Sequence, residues 1–190
     1  STPAIAASNE LAFVWSGPGH WLALGPEATE SVEARLGAAF GTHASVFDQG
    51  GSRVLLELRG SRVRDVLAKG VSIDLHPRSF RTGDVAVTTA SHLAVHLWMV
   101  ADEPVYRLLV VRTWFDSLWR WLAASAAEYG CEVMAPTPYT PLGSSNGTFS
   151  LESDAVTSVR TRNAWPAVKG SPQCIRKYAT DFLPRSATPR

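Results

Sequence analysis

Between Val85 and Arg112 three apolar runs follow one another closely: VAVTTA, LAVHLWMV and VYRLLVVR. The second and third are separated by ADEP, a turn with Pro104 at its end. Strands joined by such short turns pair antiparallel, because a parallel neighbour needs a crossover of a dozen or more residues. A chain with this centre is committed to an antiparallel sheet, and the rest of the sequence must supply its cover.

The flanking segments read accordingly. LAFVW and WLALG enclose SGPGH, whose two glycines and proline predict a hairpin turn. PEATESVEARLGAAFG predicts a helix, with Thr29 as N-cap, Val32, Leu36, Ala39 and Phe40 at helical spacing, and Gly41 as its end. HASVFDQGGSRVLLELRG predicts a second hairpin turned at Gly50 and Gly51; Val54, Leu56 and Leu58 alternate with Leu55, Glu57 and Arg59. GSRVRDVLAKG predicts a short helix capped by Ser61, lined by Val63, Val66 and Leu67, and ended by Gly70. TWFDSLWRWLAASAAEY predicts the last helix, with Thr113 and Asp116 as a capping pair and Gly130 as its stop. Hairpins followed by helices indicate an α+β fold, with helices on one face of a mainly antiparallel sheet.

The texture changes at Cys131. Pro136, Pro138, Pro141, Pro166, Pro172, Pro184 and Pro189 fall in this last stretch, and APTPYTPLGSSNG suits neither helix nor strand. Residues 1–130 therefore read as one folded domain, and residues 131–190 as an extended arm. Tyr139, Phe149, Trp165, Tyr178 and Phe182 punctuate the arm, and aromatics are scarce in disordered linkers. They are expected to dock on the surface of another chain.

With 190 residues, 45% of them apolar, a sizeable core is within reach. The net charge of +1 comes without a basic stripe, which argues against nucleic acid or a membrane surface as partner. No apolar run approaches the roughly 20 residues of a membrane span. The N-terminus lacks a basic and then a long apolar region, so it does not read as a signal peptide; Ser1 suggests a trimmed initiator Met. The expected location is the cytoplasm, where Cys131 and Cys174 could pair but are expected as two free thiols, and the sequon at Asn146 is accidental.

Catalytic constellations are sparse. His76 with Asp74 is the sharpest acid–base pair, but Pro77 holds His76 extended in a polar loop, and spacing alone is weak evidence. His92 and His96 lie four apart on a predicted strand, about 13 Å, too far to share a zinc. His20 and His43 fall at a turn and before a strand and are expected to be solvated. No G-x-G-x-x-G loop joins a strand to a helix, and no G-x-S-x-G elbow is present. The expectation is no catalytic, cofactor-binding or metal-binding residue in this chain. The last helix is more informative: Phe115, Leu118, Leu122 and Ala126 make one apolar stripe, Trp114, Trp121 and Ser125 an adjacent one, and Trp119 faces elsewhere. Its apolar surface is wider than one sheet needs, either because the helix is deeply buried or because Trp114, Trp119 and Trp121 dock another chain.

RGSRVRDVLAKGVSIDLHPRSF, VYRLLVVR and DSLWRWLAASAAEYG resemble the gamma subunits of bacterial heterotetrameric sarcosine oxidases, from about Phe13 to Gly130. The most specific stretch is K-G-x-x-x-D-L-H-P-R-x-F, from Lys69 to Phe80; Val71 stands where the family usually has Cys. The resemblance implies a fold similar to the folate-binding module of the glycine cleavage T-protein. It also implies a complex of alpha, beta, gamma and delta subunits, with alpha as the chief neighbour, that uses FAD, FMN, NAD and tetrahydrofolate and demethylates sarcosine to glycine. Those cofactors belong to the larger subunits. T-proteins carry a carboxylate directed at folate on the strand after a Gly-rich turn; the corresponding VTTASHLAVHLWMV has no Asp, Glu or Gly. The scaffold then remains without its chemistry, in a structural subunit. The rivals are an independent folate-dependent one-carbon enzyme and a stand-alone folate-binding module.

Overall fold

A computed structural model describes residues 4–7, 11–25, 32–134 and 173–178. Two sheets and three helices make up these residues. Strands β1 (Ile5–Ala7), β2 (Ala12–Gly17) and β3 (His20–Leu24) form a small antiparallel sheet in that order. Strands β4 (Arg53–Arg59), β5 (Val85–Ala90), β6 (Leu93–Ala101), β7 (Val105–Val111), β8 (Cys131–Met134) and β9 (Gln173–Tyr178) form a larger one, ordered β5-β6-β7-β4-β9-β8. Its pairs are antiparallel except β8 with β9. The helices are α1 (Val32–Phe40), α2 (Val63–Ala68) and α3 (Phe115–Ala126).

The predicted central run β5–β6–β7 is present as an antiparallel meander, and its strand period of two sorts its side chains between two cores. Val95, Leu97 and Met99 of β6, Tyr106, Leu108 and Val110 of β7, and Val54, Leu56 and Leu58 of β4 face α2 and α3. There they meet Val63, Val66 and Leu67 from α2, and Phe115, Leu118, Leu122 and Ala126 from α3. The alternate residues Leu55, Val85, Trp98 and Leu109 form a second core with Val14 of β2, packed by Ile5, Leu22 and Leu24. The large sheet is thus covered by α2 and α3 on one face and by the small sheet on the other. A sheet buried on both faces explains why β4 and β7 read as nearly continuous apolar runs.

Several local expectations are corrected. No strand directly precedes Gly50: residues 44–49 have no regular structure, a 3₁₀ turn spans Gly50–Ser52, and β4 has β7 and β9 on its two edges instead of a hairpin partner. Ser61 is not the cap of α2; Arg62 holds that position and makes no side-chain cap bond. Thr113 and Asp116 do not form a capping box, because a 3₁₀ turn, Arg112–Trp114, leads into α3 and Trp114 stands at its N-cap. The N-cap expected at Thr29 lies outside the described residues. The irregular arm expected from Cys131 is corrected for two segments: β8 and β9 extend the large sheet past β4, with Tyr178 in backbone register with Leu55.

Candidate functional site

The Lys69–Phe80 stretch is a knitted connection between α2 and β5. Val71 forms a bridge with Ala90, and the Ser72 N–H donates to the Thr89 carbonyl at 3.1 Å. Asp74 Oδ1 accepts the backbone N–H of His76 at 2.9 Å, and Oδ2 accepts the Ser79 hydroxyl at 2.6 Å. Those two donors hold the Asp74 carboxyl below its ordinary pKa, with a smaller contribution from the charge of His76. His76 Nδ1 in turn accepts the Arg78 N–H at 3.2 Å, and its carbonyl takes the N–H groups of Ser79 and Phe80. Leu75 and Phe80 anchor the loop in the core, where Phe80 stacks on Tyr106 at 6.2 Å. Asp74 and His76 are thus adjacent and exposed, and the hydrogen bonds of both close a turn.

Gly70 opens this stretch for a reason the sequence does not display. A Cβ there would lie 2.7 Å from Trp121 Cζ2 and 2.9 Å from Cε2 and Nε1, so the indole rests on the bare backbone. Lys69 adds a second tie between α2 and α3. Its ammonium donates to the Ser125 carbonyl at 2.7 Å, pairs with Glu128, and sits 4.8 Å above the Tyr129 ring.

These contacts account for two of the three tryptophans expected to dock a partner. Trp121 is half-buried against Gly70, and Trp119 is half-buried and stacked on Phe115 at 6.0 Å; both pack on the main core. Trp114 differs: it is 42% exposed where the 3₁₀ turn enters α3, beside an Arg112 whose Nε donates to the Gly51 carbonyl at 2.7 Å. Phe47, 75% exposed, lies in the irregular segment leading to that Gly51. Tyr139, Phe149, Trp165 and Phe182 lie outside the described residues.

The histidine pair is separated by the fold. His92 is in the β5–β6 turn, not on a strand; Ser91 and His92 both have positive φ, 49° and 69°, as a two-residue hairpin turn demands. His96 is buried on β6, where its Nε2 lies 2.8 Å from the Ser16 hydroxyl of β2. Burial, and then the charge of Arg53, lower its pKa to about 4, so it is neutral at pH 7. Sequence reading also missed the buried ion pair on this face: Glu57 and Arg107 are register partners on β4 and β7, joined at 2.9 Å, with Arg59 reaching Glu57 from its own strand. Glu57 and Arg107 interrupt otherwise apolar strands, and that interruption was the available signal. Cys131 opens β8, and the β8–β9 register sets Cys174 opposite Glu132. Among the described residues no three His, Cys, Asp or Glu are grouped to hold a metal, and no helix is long and apolar enough to cross a membrane.

Comparison with known proteins gives this arrangement a family. Residues 2–128 match the model of the sarcosine oxidase, gamma subunit family. The chain is 34% identical over 133 residues to the sarcosine oxidase subunit gamma of Corynebacterium sp. (strain P-1), covering 69% of this chain and 64% of that one. It is 30% identical over 130 residues to the subunit gamma of an Arthrobacter species, covering 68% and 63%. The alignments therefore span less than two thirds of those relatives' own length. In three dimensions it is similar to a chain of the heterotetrameric sarcosine oxidase from Corynebacterium sp. U-96 in complex with pyrrole 2-carboxylate. That match has a TM-score of 0.63 and 26% identity, and covers 67% of this chain and 66% of that one. With a family model matched along more than half its length and a shared fold, the chain belongs to the sarcosine oxidase, gamma subunit family.

Proposed function

We propose that this chain is the gamma subunit of a heterotetrameric sarcosine oxidase and serves it as a structural, non-catalytic subunit. The carrying observation is the agreement in fold with a chain of such a complex over 67% of this sequence. The assembled enzyme oxidises the N-methyl group of sarcosine with O₂, releasing glycine and hydrogen peroxide. With tetrahydrofolate, the one-carbon unit leaves as 5,10-methylenetetrahydrofolate. FAD, FMN, NAD and folate reside in the other subunits, and the alpha subunit is the chief neighbour of this chain among alpha, beta and delta. The assembly is cytoplasmic.

The state of the polar groups supports the structural role. Asp74, His96 and Glu57 are engaged with Ser79, Ser16 and Arg107, respectively, in contacts that hold loop, strand and sheet together. The fold is read as a relative of the T-protein folate module that has lost its ligand. β5 and β6 carry no Asp or Glu, so they offer no carboxylate to the nitrogens of a pterin, and these residues do not fit folate. Of the three tryptophans, Trp114, in the 3₁₀ turn before α3, is the most exposed and the best placed to touch a neighbouring subunit.

The test is affinity purification of the tagged chain from its source cells. Three larger or smaller partner chains, flavin absorbance and sarcosine-dependent peroxide production are expected in one peak. A colourless chain eluting alone overturns the proposal, and reduced-folate binding by that lone chain would favour an independent folate protein.

A further inference from the structure

Three strands of the large sheet run in one direction. β4 is antiparallel to both β7 and β9, and β8 is parallel to β9, so β7, β8 and β9 share a heading. The chain joins them by two crossovers. The first leaves β7, passes through α3 and enters β8, moving outward past β4 and β9 to the sheet edge. The second leaves β8 at Met134 and returns one place inward, entering β9 at Gln173. Crossovers between parallel strands of one sheet are right-handed in about 98% of cases, because only that hand lets twisted strands and their connection pack together. Two right-handed crossovers that move in opposite directions across a sheet must lie on opposite faces. α3 packs on the face made by Val54, Leu56, Leu108 and Val110. The second crossover therefore belongs on the other face, the one that carries the small sheet.

We infer that residues 135–172, which lie outside the described residues, cross the large sheet on its small-sheet side and continue the cover there over β9 and β8. Among the described residues, the second core takes side chains from β4, β5, β6 and β7 and none from β8. Cys131 packs on the main core, which turns Glu132 and Met134 to the small-sheet side. The part of that face beyond β4 is the ground the crossover traverses to reach Gln173. Its length is ample: a parallel connection needs about a dozen residues, and this one has about three times that number. The surplus carries Tyr139, Phe149 and Trp165. The crossover brings these aromatics to their own sheet, so the surface they were expected to find on another chain is supplied by this one. This placement follows from strand direction and order and does not depend on the gamma-subunit assignment.

The test uses the full-length chain in its purified complex, with p-benzoylphenylalanine, a photo-cross-linking aromatic, in place of Phe149 or Trp165. After irradiation the adducts are mapped by mass spectrometry of peptides. They are expected within this chain, on β3, Arg59 or β8. Adducts on α2 or α3 would place the crossover on the helix face and overturn the inference, and so would adducts confined to another subunit. The unmutated protein gives a second reading that no substitution disturbs. Lys169 is the single lysine between Met134 and Gln173. Amine-to-carboxylate coupling is expected to join it to Glu132, and not to Asp65, Asp116 or Glu128 in and after the helices of the other face. Coupling to any of those three in preference to Glu132 overturns the inference. Elution of the chain without partners overturns the gamma-subunit assignment alone, and the same mapping on the lone chain still decides which face the crossover takes.

Discussion

Gly70→Ala sets two calculable effects against each other. The backbone at Gly70 is not left-handed, so alanine is conformationally acceptable there. By restricting the unfolded chain, such a change alone stabilises by about 0.4–1 kcal/mol. The new Cβ, however, meets the Trp121 indole at 2.7–2.9 Å, below any real carbon contact, and the ring is wedged between α2 and α3. Overpacking of this kind costs about 1–3 kcal/mol. The net expectation is a destabilisation of about 0.5–2 kcal/mol, seen as a lower urea midpoint at unchanged slope in far-UV circular dichroism. Trp121→Leu removes the obstructing ring, so in that background the same Gly→Ala change is expected to be neutral or stabilising. The double-mutant cycle should show coupling of at least 1 kcal/mol. A higher midpoint for Gly70→Ala alone, or strict additivity, would refute the steric explanation.

Acid should weaken the fold through His96. Its folded pKa of about 4 lies below the ordinary 6.5, so between those values the unfolded chain takes up a proton that the native chain refuses. Stability therefore falls as pH drops from 6.5 toward 4, by up to about 3 kcal/mol, and His96→Gln should flatten that slope in urea titrations at pH 7, 5.5 and 4.5. The lowered pKa values of Asp74 and Glu128 act in the same direction at lower pH, and the difference between wild type and variant isolates the histidine. Glu57→Gln removes the carboxylate that Arg107 pairs with inside the sheet and should cost about 3–5 kcal/mol by denaturation; replacing both by leucine should recover much of it. His76→Ala should change sarcosine turnover of the assembled enzyme by less than tenfold at normal flavin content, whereas general acid–base residues contribute about 10²–10⁴-fold.

The parts of this molecule that are legible in sequence are those governed by near neighbours. β5, β6, β7 and α3 follow from turn residues and apolar periodicity, because strand and helix periods place side chains on faces whatever the rest of the chain does. The Asp74–Phe80 turn is similarly local, with donors two and five residues from their acceptor. Long-range choices decided the rest. Whether β4 pairs with a preceding strand or with β7 and β9 depends on which edges are free once the sheet collapses, and no local pattern records that. Gly70 reads as a helix stop, but its missing side chain is required by an indole fifty-one positions later, which only packing brings against it. His96 reads as half of a histidine pair, whereas tertiary structure puts His92 in a turn and sets His96 against a serine eighty residues away on the other sheet. Periodicity determined which faces were apolar; which of them met each other was decided by how the two sheets, α2 and α3 exclude water together.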